Sequence, residues 1–237
     1  DVVRANGGRG LHLSMVRAML AQLLEQLRVL REHDCTHTDI KHKNCCLADT
    51  EHYMSSAGPG DRATLVLTRP AAKFIDYGNA VFEGEEKVHP IHTKQFRAPE
   101  VLLNMSGGWG PPSDMWTLGV TAVYLVSGQL IFNSHDPGEL VHLMVEALGP
   151  FPDRLLSSAK DGRLRRAADA AAQQLAAKGP KLGERLGLGG AAASSPEGRC
   201  VDLLRRMLAP DPAERIDPAE ALKHPFLVAE EPSVPPR

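Results

Sequence analysis

The stretch from Pro111 to Gly128 limits the possible folds more than any other part of the chain. Met115, Trp116, Leu118, Val120, Ala122, Val123 and Leu125 recur on most faces of one helix, with proline near its start and glycine at its end. A helix apolar nearly all round must be surrounded by other elements. From Leu11 to Arg31, Met15, Val16, Met19, Leu20, Leu23, Leu24, Leu27 and Leu30 give a second, amphipathic helix with a wide apolar face and Ser14 as its predicted N-cap. The pattern predicts a mainly α-helical (α+β) lobe with the helices 14–31 and 112–127 at its centre. Hydrophobic residues make up 43% of 237, enough for one sizeable core.

The remaining segments are arranged around these two. Residues 1–10 are polar and Gly-rich and predict a loop, as does the polar segment 34–44. Short strands are expected at 45–47, 65–67 and 72–75, and an irregular segment over 80–97. Further helices are expected at 137–148, 199–208 and 217–223. The Ala-, Gly-, Lys- and Arg-rich stretch at about 158–198 predicts a low-complexity insertion with one polar helix and a flexible part. The Pro- and Glu-rich tail 228–237 predicts disorder. Arg163, Arg165 and Arg166 read as a solvated helix face, and His42, His89 and His92, which match no zinc spacing, as surface histidines.

Lys and Arg number 27 against 29 Asp and Glu, a net charge of -2, which gives no reason to expect nucleic acid or an anionic membrane as partner. No apolar run approaches the roughly 20 residues of a membrane span. The four cysteines, Cys35, Cys45, Cys46 and Cys200, form no CxxC pair and read as reduced thiols. The chain opens on Asp1 without an initiating Met, which reads as a fragment, a processed product or an incomplete gene model.

Chemistry concentrates in His37-Thr38-Asp39-Ile40-Lys41-His42-Lys43-Asn44. Phosphoryl transfer needs a carboxylate to orient an attacking hydroxyl, an ammonium to screen the moving phosphoryl group and an amide oxygen for a divalent metal. In extended chain, residues two apart project to one side, so Asp39 and Lys41 can face one substrate. The same residues also suit a capped turn of no catalytic meaning. Asp76-Tyr77-Gly78 follows the apolar Phe74-Ile75 and offers a second carboxylate at a strand end. Arg97-Ala98-Pro99-Glu100, Asp114-Met115-Trp116-Thr117-Leu118-Gly119 and Pro210-x-Pro212-Ala213-Glu214-Arg215 come next in order.

Together these five pieces resemble the protein-kinase signature set, in the family's order, over residues from about 11 to 227. His-Thr-Asp-Ile-Lys, Asp76-Tyr-Gly-Asn-Ala80 and Thr93-Lys-Gln-Phe-Arg-Ala-Pro-Glu-Val101 resemble the LAMMER (Clk) and SR-protein kinases of the CMGC group. The resemblance implies the C-terminal lobe of a Ser/Thr kinase (1–227), with short β-hairpins, a catalytic loop at 37–44, an activation segment at 76–100 and the N-terminal lobe absent. It implies ATP and Mg²⁺ as cofactors. Asp39 would be the catalytic base, Lys41 a γ-phosphate contact, and Asn44 and Asp76 the Mg²⁺ ligands. Thr93 would bond Asp39 and Lys41. Glu100 would pair with Arg215, Asp114 would accept amides of the catalytic loop, and His37 and Tyr77 would stack in the core. Arg97 fits the arginine that marks the CMGC group. Arg/Ser-rich splicing factors are the implied protein substrates, in the nucleus or cytoplasm, with the protein a monomer.

Several positions depart from the family. Thr38 stands where many kinases have arginine, His42-Lys43 stands for Pro-Glu, and Tyr77 for Phe. Lys43 adds positive charge near the metal site. Asn44 and Asp76 are 32 positions apart, longer than usual, which implies an extra exposed hairpin or loop. No G-x-G-x-x-G and no Val-Ala-Ile-Lys-like strand occurs, and Gly7-Gly8-Arg9-Gly10 does not match. A non-catalytic, pseudokinase-like scaffold or an inactive fragment is therefore the alternative to an enzyme.

Overall fold

A computed structural model describes residues 1–55, 63–86, 90–105, 108–175 and 179–229. Helix α2, Leu13–Glu32, and helix α4, Pro112–Ser127, pack together at the centre. Every residue of α4 from Ser113 to Leu125 is buried, as its all-round apolarity demands. Gly128 ends it in the left-handed conformation, φ 77°. In α2, Met15, Val16, Met19, Leu20, Leu23, Leu24 and Leu27 are buried. Each such leucine contributes about 1.5–3 kcal/mol by leaving water. Helices α9 (Pro196–Met207), α10 (Pro218–Leu222) and α11 (Pro225–Val228) close the core, α9 on α4 and the other two on α2. Among the described residues no helix is long and apolar enough to cross a membrane.

The strands are short and, among the described residues, form three two-stranded antiparallel ladders. They are β1 (Cys35–Thr36) with β6 (Val81–Phe82), β2 (Cys45–Leu47) with β5 (Ala72–Phe74), and β3 (His52–Ser55) with β4 (Thr64–Leu67). The ladder β2–β5 pairs Cys45 with Phe74, and one step further the Ile75 amide donates to the Asn44 carbonyl at 2.9 Å. Gln22 and Gln26 of α2 each hold β5 from the side. Gln26 donates to the Ala72 carbonyl and accepts from the Phe74 amide, at 3.0 and 2.9 Å. The strand that delivers Asp76 is thus fixed to the central helix.

Several expectations need correction. Residues 1–10 are not all loop, because Val2–Ala5 forms α1, capped by the Asp1 carboxylate and anchored by buried Val3. The cap of α2 is His12, whose Nδ1 accepts from the Ser14 amide, and Ser14 lies inside the first turn. The described residues of the stretch 158–198, 158–175 and 179–198, pack helices against the lobe. Its helix α7, Gly162–Leu175, buries Leu164, Ala168, Ala171 and Leu175 against α5 (Pro137–Leu148). Leu182 of α8 (Leu182–Arg185) and Leu186 are buried too. The arginines Arg163, Arg165 and Arg166 do face outward. The extra hairpin β3–β4 is only half exposed, since Leu65, Val66 and Leu67 are buried. At the tail, Val228 closes α11 and the Ala229 carbonyl accepts from Arg17, while 230–237 and His89 lie outside the described residues.

Candidate active site

The catalytic-loop candidate lies between β1 and β2 and is tied to the buried end of α4. Asp114, in the first turn of α4, accepts from the backbone amides of His37 at 2.6 Å and Thr38 at 3.0 Å. Burial pushes its carboxyl up to about 7, against the pull of those two amides. The Thr38 hydroxyl donates to the Asn79 carbonyl at 2.9 Å, which ties the loop to the residues after Asp76.

Three side chains converge on one carboxylate. Lys41 Nζ donates to Asp39 Oδ2 at 2.7 Å and to the Thr93 hydroxyl at 3.0 Å. Thr93 in turn donates to Asp39 Oδ1 at 3.1 Å. Asn44 Nδ2 donates to the Asp39 carbonyl at 2.9 Å and to Oδ2 at 3.1 Å. The Asn44 amide nitrogen is thereby committed to Asp39, which leaves Oδ1 as the end suited to a cation. Residues 52 and 54 positions away from Thr93 are thus locked into one hydrogen-bonded unit. The Lys41 and Asp39 side chains remain about one-fifth exposed, so the unit is reachable from outside.

Asp76 stands at the end of the same ladder that carries Asn44. Its side chain is exposed and its φ is 67°. Thr38 and His92, at 72° and 67°, share this left-handed conformation, which non-glycine residues rarely adopt and which gathers at functional sites. The His37 ring lies between the catalytic loop and the strand that leads to Asp76. It bonds the Ile75 carbonyl at 3.2 Å, and both Asp39 and Asp76 act on its charge. Burial holds the imidazole below its ordinary value despite them. Tyr77 lies against His37 at 4.7 Å between ring centroids but is 45% exposed, so it does not stack inside a core among the described residues.

The activation-segment candidate is held by two arginines. Arg215 reaches Glu100 through both guanidinium nitrogens, at 2.8 and 2.9 Å, with neither side chain more than 2% exposed. It also donates to the carbonyls of Ala209, Pro112 and Pro210 and lies 5.4 Å over the Trp116 ring. Arg97 donates to the carbonyls of Ile91 and His92, both at 3.1 Å.

Of two histidines expected at the surface, His92 is buried and His42 is largely covered. His42 packs 4.3 Å from Tyr124 and 5.8 Å from Phe96, and burial lowers it to about 4. His92 donates its amide to the Thr38 carbonyl, accepts at Nδ1 from the Ala98 amide, and is lowered to about 3 by burial, then by Arg97 and Arg215. Sequence spacing excluded zinc but carried no sign of burial, because both lie in stretches without a hydrophobic period.

A cavity of about 410 Å³ opens beside Asn44, lined by Lys43, Cys45, Cys46, Leu47 and Ile75 and floored by residues of α2 and α4. A concave apolar space next to cationic and carboxylate groups suits a ligand with an aromatic and an anionic end. Among the described residues no three His, Cys, Asp or Glu side chains form a metal cage. Mg²⁺ does not require one, since it binds through one or two side chains plus phosphates. Asp76 and Asn44 fit that donor set.

A family model for the protein kinase domain matches residues 3–227. The chain is 32% identical to serine/threonine-protein kinase AFC1 of Arabidopsis thaliana over its whole length, covering 54% of that protein. It is 29% identical to dual specificity protein kinase CLK1 of Homo sapiens, over 95% of this chain and 47% of that one. The chain thus spans about half the length of these curated relatives. The solved kinase domain of PF14_0431 superposes with a TM-score of 0.78 at 29% identity, over 95% of this chain and 69% of that one.

Proposed function

The chain belongs to the protein kinase domain family and is homologous to the CLK and AFC kinases, and on that premise we propose that it carries the phosphotransfer half of a Ser/Thr protein kinase. The observation that carries this reading is the unit of Asp39, Lys41, Thr93 and Asn44 beside Asp76. In this reading the Asp39 carboxylate, held by Lys41 and Thr93, orients the acceptor hydroxyl and takes its proton. Lys41 would contact the phosphate to be transferred. Asn44 Oδ1 and the Asp76 carboxylate would hold Mg²⁺, which would supply charge neutralisation on the phosphates. The apolar cavity over Cys46, Leu47 and Ile75 takes the adenine of ATP.

In this reading an N-terminal lobe would complete the cleft. Tyr77 and Ile75, 45% and 39% exposed, are the apolar groups such a lobe would cover. The isolated 237-residue chain should therefore show neither kinase activity nor a thermal shift with Mg·ATP. Arg/Ser-rich splicing factors are the proposed substrates, by similarity to the relatives, and the nucleus or cytoplasm the proposed place of action, with the protein monomeric.

The test is phosphate incorporation from Mg·ATP into an Arg-Ser repeat peptide by the full-length protein, with Asp39→Ala as control. Incorporation that disappears in the variant supports the reading. A fully folded wild-type protein that binds peptide without phosphorylating it supports the scaffold alternative.

A further inference from the structure

Lys43 is the one residue of the catalytic-loop candidate whose charge has no partner. Among the described residues none forms an ion pair or side-chain hydrogen bond with it, and it is exposed. Three observations place it at the nucleotide side. It lines the 410 Å³ cavity together with Cys46, Leu47 and Ile75. It belongs to the 3₁₀ turn His42–Asn44, directly before the Asn44 that faces Asp39. Finally, it precedes Asn44, whose carbonyl accepts from the amide of Ile75, the residue before Asp76.

The local field points the same way. Among the described residues none of the nearby carboxylates, Asp39, Asp76 or Asp1, forms an ion pair with Lys43. Asp39 is taken up by Lys41, Asn44 and Thr93, and Asp1 accepts from the Val3 amide and the Tyr124 hydroxyl. An unpaired ammonium at the mouth of a ligand cavity attracts anions, and less so as salt rises.

Resting on the kinase reading above, we propose that Lys43 is a nucleotide-binding residue that neutralises part of the triphosphate charge and so lowers the site's demand for divalent metal. One exposed ammonium–phosphate contact corresponds to about a five-fold change in affinity.

The experiment measures binding of ATP and of adenosine to the full-length protein by calorimetry, each with Mg²⁺ and with EDTA, for wild type, Lys43→Ala and Lys43→Glu. We expect Lys43→Ala to weaken metal-free ATP about five-fold and Lys43→Glu more, with a smaller effect on Mg·ATP and none on adenosine. ATP affinity unchanged by both substitutions overturns the proposal, as does an equal loss for adenosine, which would mark a structural role. Wild-type protein that binds neither ligand overturns the kinase reading itself, and this inference with it.

Discussion

Glu100 and Arg215 form a two-pronged ion pair sealed from water, with Arg215 at the same time donating to three backbone carbonyls. The pair joins the start of α3 (Pro99–Leu102) to the segment after α9, across 115 positions of sequence. Removing one partner leaves the other charged and buried. Glu100→Ala and Arg215→Ala should each cost about 3–5 kcal/mol in urea unfolding. The double variant Glu100→Met, Arg215→Met should lose less than the sum of the singles. Single variants within 1 kcal/mol of wild type would show the pair to be open to solvent.

Acid should destabilise the protein through His42 and His92. Both are neutral when folded, to about 4 and about 3, whereas an unfolded histidine takes up a proton near 6.5. Their contribution is therefore full above 6.5 and is lost as pH falls. By pH 5 each accounts for up to about 2 kcal/mol. Asp114 acts oppositely, because its carboxyl is raised to about 7 and its contribution fades as pH rises from 3.8 through 7. A His42→Gln, His92→Gln variant should lose less Tm than wild type between pH 7 and 5. Parallel curves would contradict the burial of these rings.

Gly10 is required by a close approach of two backbones. A Cβ there would lie 1.6 Å from the Val126 carbonyl oxygen, beside the Leu11 amide that donates to the Leu125 carbonyl at 2.8 Å. Backbone cannot yield as a flexible side chain does. Gly10→Ala should lower stability by about 2 kcal/mol or more, read from the urea midpoint. An unchanged midpoint would mean that residues 8–10 do not rest on the end of α4.

The two central helices were legible in the sequence because periodic apolar residues report burial directly, and α5 kept its exact bounds for the same reason. The members of the site were legible as motifs, and several of their contacts, Thr93 with Asp39 and Lys41, Glu100 with Arg215 and Asp114 with the loop amides, came from the family resemblance and not from spacing. Nothing in the spacing says that Thr93 closes the triangle with Asp39 and Lys41, since that depends on the fold of the segment between them. Residues 158–198 misled because alanine and glycine look like low complexity. Ala168 and Ala171 nevertheless are buried on the helix that packs against α5. Tyr77 misled in the other direction, since an aromatic residue is a poor guide to burial at the rim of a cleft.

The central claim is that Asp39 and Asp76 serve one reaction centre in different roles, and the Mg²⁺ dependence of phosphotransfer by the full-length protein separates them. Asp76→Asn should raise the Mg²⁺ concentration needed for half-maximal rate at least about ten-fold, as loss of a charged ligand requires. Asp39→Asn should leave that concentration unchanged and lower kcat by roughly 10²–10⁴, the usual worth of a positioned base. A rate that survives Asp39→Asn, or a metal dependence indifferent to Asp76→Asn, would contradict it.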